Sequence, residues 1–225
     1  MSRFILINKP AGPTSHDLVD FLRQITGEQR IGHAGSLDPF AEGLLLLAIG
    51  RESTRQLNQF VGLDKEYVAT IQLGATSSTY DKTGEIKKCQ AAQCQVSEKE
   101  IKTALKKFVG EIEQIPPMFS AKKINGQKLY RLARQGKEME RKSNKIKIYD
   151  IELNEFNITN YQLQITISCS SGTYIRSLAH DLGETLGCGA YLQKLVRTKI
   201  DNYEIKNAIS PDKITPANWS SFCFH

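Results

Sequence analysis

The spacing of hydrophobic residues changes twice within the first fifty positions. Phe4 to Asn8 is an apolar run of strand length, followed by the stiff turn Lys9-Pro10-Ala11-Gly12-Pro13. Leu18, Leu22 and Ile25 then recur at helical spacing. Thr14 and Asp17 form a capping box in front of that helix, and Gly27 marks its stop. Leu44 to Ile49 is apolar at every position, which predicts a strand buried on both faces. Glu52 to Val61 predicts a short helix. From Lys65 to Leu73 the pattern alternates, with Tyr67, Ala69, Ile71 and Leu73 on one face. Tyr67 therefore points inward at a strand start, the place of a core tyrosine with a satisfied hydroxyl.

The second half is read in the same way. Ala75 to Glu85 is polar and turn-rich, ending in Asp81-Lys82-Thr83-Gly84. Ser97 and Glu100 form a second capping box, and Ile101, Leu105 and Phe108 give a helix stopping at Gly110. Lys145 to Phe156 and Tyr161 to Cys169 read as a hairpin turning at Thr159-Asn160. Ser170 to Thr173 opens a helix carrying Ile175, Leu178, Leu182 and Leu186, ended by Gly187. Arg176 stands in its first turn, where the helix dipole disfavours a cation by about 0.3–1 kcal/mol, so a carboxylate partner is expected. Gly189 to Ile200 reads as a last strand, and Ser210-Pro211-Asp212 as the start of a closing helix.

Charge adds a location to this picture. The chain of 225 residues carries a formal +6 and a pI near 9.0. Residues 120–147 alone hold ten Lys and Arg against two Glu, a net +8, so the rest of the chain is slightly acidic. That is a local basic surface suited to a polyanion. Within it Lys128 and Arg131 lie three apart, as on one helix face. No run approaches the roughly 18 apolar residues of a membrane span, and no signal peptide is evident. The five cysteines are odd in number and form no Cys-x-x-Cys pair, and the four histidines are scattered. Free thiols, no structural metal and a cytoplasmic protein are expected.

The stretch Gly32-His33-Ala34-Gly35-Ser36-Leu37-Asp38-Pro39, followed by Ala41-Glu42-Gly43-Leu44-Leu45, presents one carboxylate from a tight loop at the edge of the buried strand. It resembles the catalytic motif of the TruB family of tRNA pseudouridine synthases. Asn8-Lys9-Pro10-Ala11-Gly12-Pro13-Thr14-Ser15, Lys65-Glu66-Tyr67, Pro116 to Lys123 and Gly172-Thr173-Tyr174-Ile175-Arg176 resemble further motifs of that family, in the same order.

The resemblance implies an α+β pseudouridine synthase fold, a mixed, largely antiparallel sheet with flanking helices and a basic thumb insertion. It implies one catalytic domain over 1–225 with the thumb at about 115–147, and a short form without a C-terminal PUA-type module. The implied reaction turns uridine-55 in the T loop of tRNA into pseudouridine, without a cofactor. The implied partner is the tRNA T arm, not DNA or a membrane, and the enzyme is expected to be a monomer. Asp38, Tyr67 and Arg176 are the implied catalytic residues, with Arg176 paired to Asp38. Lys9, His33, Asp81, Lys128 and Arg131 are the implied substrate contacts. Here the chain has Ser77-Ser78-Thr79 where the family has a Thr-Asp-Thr triplet, and Phe119 where it has a tyrosine. Asp38 can serve as nucleophile, as base, or as a stabiliser of positive charge at C1′. A tRNA-folding chaperone that does not use Asp38, or a guide-dependent synthase subunit, would share many of the same residues.

Overall fold

The computed structural model describes residues 3–89, 95–119, 123–124, 127–128 and 141–225. In chain order its main elements are β1 (Arg3–Lys9), α1 (Ser15–Thr26), β2 (Ile31–His33), β3 (Glu42–Ile49), α2 (Arg51–Thr54), α3 (Asn58–Val61) and β4 (Lys65–Leu73). Then come β5 (Ala75–Ser77), β6 (Ile86–Lys88), α4 (Glu98–Lys106), β7 (Gly110–Gln114), β8 (Lys123–Ile124) and β9 (Gln127–Lys128). They are followed by β10 (Asn144–Asn157), β11 (Gln162–Cys169), α5 (Ile175–Leu186), β12 (Ala190–Ile200), β13 (Tyr203–Glu204) and β14 (Cys223–Phe224). The chain forms two compact units, Met1–Val68 with Leu195–His225, and Ala69–Lys194.

In the first unit β1 lies antiparallel between β14 and β3, and β3 also pairs antiparallel with β2. The β3–β12 pairing is parallel, with Val196 opposite Glu42 and Arg197 opposite Gly43, so this sheet is mixed. The all-apolar run of β3 is buried on both faces, as its sequence predicts. Leu45, Leu47 and Ile49 pack with Ile5, Ile7 and the Leu18, Val19 and Leu22 stripe of α1. Leu44, Leu46 and Ala48 pack on the other side with Phe4, Leu6 and Phe60. The Thr14–Asp17 capping box is formed, and Gly27 ends α1 in the left-handed conformation. The single helix expected over 52–61 is two one-turn helices, α2 and α3.

In the second unit β11, β10 and β7 are antiparallel neighbours, and β11 buries Leu163, Ile165, Ile167 and Cys169 on one face. The Ser97–Glu100 capping box opens α4, which closes at Lys106 rather than at Gly110. Gly110 instead begins β7, an edge strand of five residues whose Glu111-Ile112-Glu113 alternation is too short to announce it. The polar stretch after β4 contains the β5–β6 hairpin, again unexpected, because three-residue strands carry almost no periodic signal. Lys128 lies in strand β9, paired with β8, and not on a helix; Arg131 falls outside the described residues. The closing helix expected from Ser210 is a 3₁₀ turn, Pro211–Lys213.

Gly43 shows how closely β3 and β12 meet. Its φ is +109°, and a Cβ there would lie 2.4 Å from the Arg197 carbonyl oxygen and 2.6 Å from its nitrogen. Both contacts are with backbone, which cannot swing aside. Gly43→Ala is expected to lose about 2–4 kcal/mol of stability in urea titration. An unchanged midpoint would contradict this packing.

Candidate active site

The loop between β2 and β3 carries Asp38, and its backbone is held at several points within the first unit. Ala34 N–H donates to Leu46 O, at 2.9 Å. Ser15, the first residue of α1, accepts from Leu37 N–H at 2.9 Å and donates to Leu37 O at 3.3 Å. Gly12 N–H reaches Pro39 O at 2.8 Å, and Ala41 N–H closes the turn onto Asp38 O at 3.0 Å. The proline-rich turn after β1 and the start of α1 thus serve as the floor of the Asp38 loop.

Lys9 is the centre of that floor. It is fully buried, and its Nζ donates to the carbonyls of Pro10 (2.8 Å), Pro13 (2.7 Å) and Pro39 (3.2 Å). Three donors meet three acceptors, the full capacity of an ammonium. Burial pushes Lys9 down from 10.5 to about 8, against the pull of the Asp38, Glu42 and Asp17 carboxylates. The attraction to Asp38 is mutual, so the ammonium favours the ionised carboxylate. Lys9, expected to touch substrate, is instead turned inward onto proline carbonyls.

His33, at the end of β2, is partly buried, and its Nδ1 has no hydrogen-bond partner. Burial holds the imidazole below its ordinary range, and the charges of Arg197 and His16 add to that. Beside the loop it therefore offers a neutral flat ring. Tyr67 sits on the inward face of β4, 9% exposed, as the alternation predicts.

Arg176 is expected to pair with Asp38; within the second unit the carboxylate it meets is a different one, Asp81. Arg176 NH1 donates to Asp81 Oδ2 at 3.1 Å and to Thr79 O at 3.3 Å, and NH2 donates to Phe119 O at 2.9 Å. Both ends of the ion pair are almost wholly buried, with side chains 5% and 3% exposed. The other Asp81 oxygen accepts from Thr79 Oγ1 (2.8 Å) and from Thr83 N–H (2.9 Å) and Oγ1 (2.5 Å). Gln114 stands in for a cap at the start of α5, donating to Tyr174 O and accepting from Tyr174 N–H. Tyr80, in the left-handed region at φ 65°, stacks on His180, one turn along α5 from Arg176. Asp81 is thus an internal anchor of Arg176 rather than an exposed group.

The comparisons with known proteins agree with one another. The model of the TruB family pseudouridylate synthase N-terminal domain matches residues 23–175, and that of the tRNA pseudouridylate synthase B C-terminal domain matches 176–221. The chain is 47% identical over 210 residues to a tRNA pseudouridine synthase B of Protochlamydia amoebophila, covering 93% of this chain and 78% of that one. It is 41% identical over 222 residues to that of Chlamydia muridarum, covering 97% and 88%.

The chain belongs to the TruB family of pseudouridylate synthases.

Among solved structures, a Cbf5-Nop10-Gar1 complex contains a chain that superposes with a TM-score of 0.71 at 30% identity, over 92% of this chain and 52% of that one. An H/ACA RNP bound to a substrate RNA containing 2'-deoxyuridine gives 0.68 at 28%, over 92% and 50%. This chain spans about half the length of those solved chains. Pseudouridine synthases thus share this α+β architecture.

Within this TruB-family chain Lys9, His33, Asp38 and Tyr67 belong to the first unit, and the ion-paired Asp81 and Arg176 to the second. Arg197 was missed in the sequence. It lies on β12, is 1% exposed, and reaches the Asp38 loop at Gly35 O. A lone arginine in a strand of mixed pattern gives no sign of such a role. Among the described residues no group of His, Cys, Asp and Glu is arranged to hold a metal ion, and Cys89, Cys169, Cys188 and Cys223 are not in disulfides.

The Lys9 geometry has a pH signature. Between pH 8 and 10.5 the unfolded chain holds a proton on Lys9 that the folded chain has released, so this residue's contribution to stability rises with pH across that window. The stability difference between wild type and Lys9→Met is therefore expected to move in favour of wild type from pH 8 to 10, measured by chemical denaturation. A difference that is flat or shrinks would show that the folded lysine keeps its ordinary proton affinity.

Proposed function

We propose that this protein isomerises uridine-55 in the T loop of tRNA to pseudouridine, with Asp38 as the essential catalytic residue. The observation that carries this reading is the Asp38 loop, tied to the chain at Ala34, Leu37, Pro39 and Ala41 and lying beside a buried ammonium that favours the carboxylate. The family and the names of the relatives supply the reaction class.

In the reaction the N1–C1′ glycosidic bond breaks, the uracil turns, and a C5–C1′ bond forms. The hydrogen at C5 is lost and N1 gains a proton, so nothing is oxidised or reduced and no redox cofactor is required. The target base must first leave its stack, at a cost of a few kcal/mol. Tyr67 gives the uracil a flat surface, and such stacking is worth about 1–3 kcal/mol per base. His33, neutral and planar, occupies the space that the base vacates. Asp38 acts ionised, whether on the base, on the sugar or on a proton. The charge of Arg176, held in place by Asp81, is assigned to that carboxylate. Asp81 serves the reaction through Arg176, and Lys9 serves it through the loop, rather than by touching RNA.

The net +8 of residues 120–147, including Lys128 and Arg131, is assigned to T-arm phosphates. The protein is read as a cytoplasmic monomer; separately, no described helix is long and apolar enough to cross a membrane.

The test is a single-turnover assay on unmodified tRNA transcript, with pseudouridine mapped by carbodiimide treatment and primer extension. Asp38→Asn is expected to lower the rate by about a thousandfold or more while binding stays within about threefold. Lys128→Ala with Arg131→Ala is expected to weaken binding and flatten its salt slope by roughly 1.5–2. Full turnover by Asp38→Asn would remove Asp38 from the mechanism, and tight binding without product from wild type would favour a folding chaperone.

A further inference from the structure

Arg197 is one of the largest fully buried side chains among the described residues. Among the described residues its hydrogen bonds go to backbone carbonyls, Nε to Leu44 O at 2.7 Å and NH2 to Gly35 O at 3.1 Å. NH1 lies 3.6 Å from where a Cβ on Gly35 would stand, and Gly35 has φ +90°, so the loop passes directly over the guanidinium. Burying a full charge against neutral acceptors is costly, and an aliphatic residue would fill a strand position without that cost. The two acceptors are informative. Gly35 stands three residues before Asp38 and Leu44 six residues after it, so one rigid fork spans both arms of the loop.

We propose that Arg197 is a positioning residue for the reaction, fixing the Asp38 carboxylate by holding the loop on both sides through Gly35 O and Leu44 O. The planar guanidinium presents its donors at fixed angles, which a flexible ammonium does not. The loop's two arms therefore keep one separation, and the aspartate between them keeps one place. Reactions of this kind lose about a hundredfold in rate when a reacting group moves by about 1 Å. The inference rests on Asp38 being the catalytic residue, and the experiment separates the two.

Arg197→Gln and Arg197→Lys are compared with wild type, Asp38→Asn and Leu22→Ala, a core variant in α1 away from the loop. Single-turnover rate at saturating enzyme, affinity for tRNA transcript and folded fraction by circular dichroism are measured for each. Arg197→Gln is expected to lose about 100-fold in rate with affinity within about threefold. Arg197→Lys, which keeps the charge and one donor direction, is expected to recover about tenfold of that loss. Leu22→Ala, although destabilised, is expected to keep the wild-type rate per folded molecule.

A wild-type rate in Arg197→Gln, an equal loss in Leu22→Ala at matched folded fraction, or no recovery in Arg197→Lys would overturn the proposal. If Arg197→Gln does not fold, Arg197→Lys decides. A rate about tenfold below wild type at unchanged affinity supports the proposal, and a wild-type rate overturns it. An active Asp38→Asn would instead overturn the reading on which this inference rests.

Discussion

A loop that presents a reactive carboxylate must satisfy its own carbonyl groups without giving up its shape, because donors and acceptors that reorganise during the reaction raise its barrier. Here the carbonyls on the buried side of the Asp38 loop are taken by two cations. Lys9 binds Pro39 O together with Pro10 O and Pro13 O, and Arg197 binds Gly35 O and Leu44 O. Much of the first unit follows from that arrangement. β1 must end where Lys9 reaches under the loop, the following turn must be stiff enough to offer two carbonyls to one ammonium, and β12 must run against β3 closely enough to exclude any side chain at Gly43.

The second unit applies the same economy to its own cation. An arginine in the first turn of a helix is unfavourable beside the positive end of the dipole. Asp81 offsets that with a buried ion pair, while Thr79 and Thr83 hold the carboxylate in place. Tyr80, next to Asp81, stacks on His180, so consecutive residues of one loop grip successive turns of α5. Each unit therefore arrives with its charged group already oriented. That suits the proposed reaction, in which a base must leave its stack.

The sequence was most legible where local chemistry decides structure. Thr14 with Asp17 and Ser97 with Glu100 form the capping boxes their spacing announces, and the uninterrupted run of β3 is buried on both sides. The need of Arg176 for a carboxylate was also visible, from its position in a helix, but Asp81 could be found only in the fold. What stayed hidden depends on convergence of distant segments. The inward turn of Lys9 is one case, because nothing local shows that Pro39 closes over it. Arg197 is separated from Gly35 by 162 residues. The β5–β6 hairpin and β7 are too short and too polar for a period to emerge, and tertiary pairing rather than propensity makes them strands.

The hydrogen bonds of the Asp38 loop set its shape before RNA arrives. Amide hydrogen exchange of the free protein tests this most directly, read at Ala34, Leu37 and Ala41, whose N–H groups donate to Leu46 O, Ser15 Oγ and Asp38 O. These amides are expected to exchange nearly as slowly as those of Leu45 and Leu47 in β3. Exchange at the rate of an unstructured peptide, slowed only when tRNA is added, would show that RNA binding builds the loop.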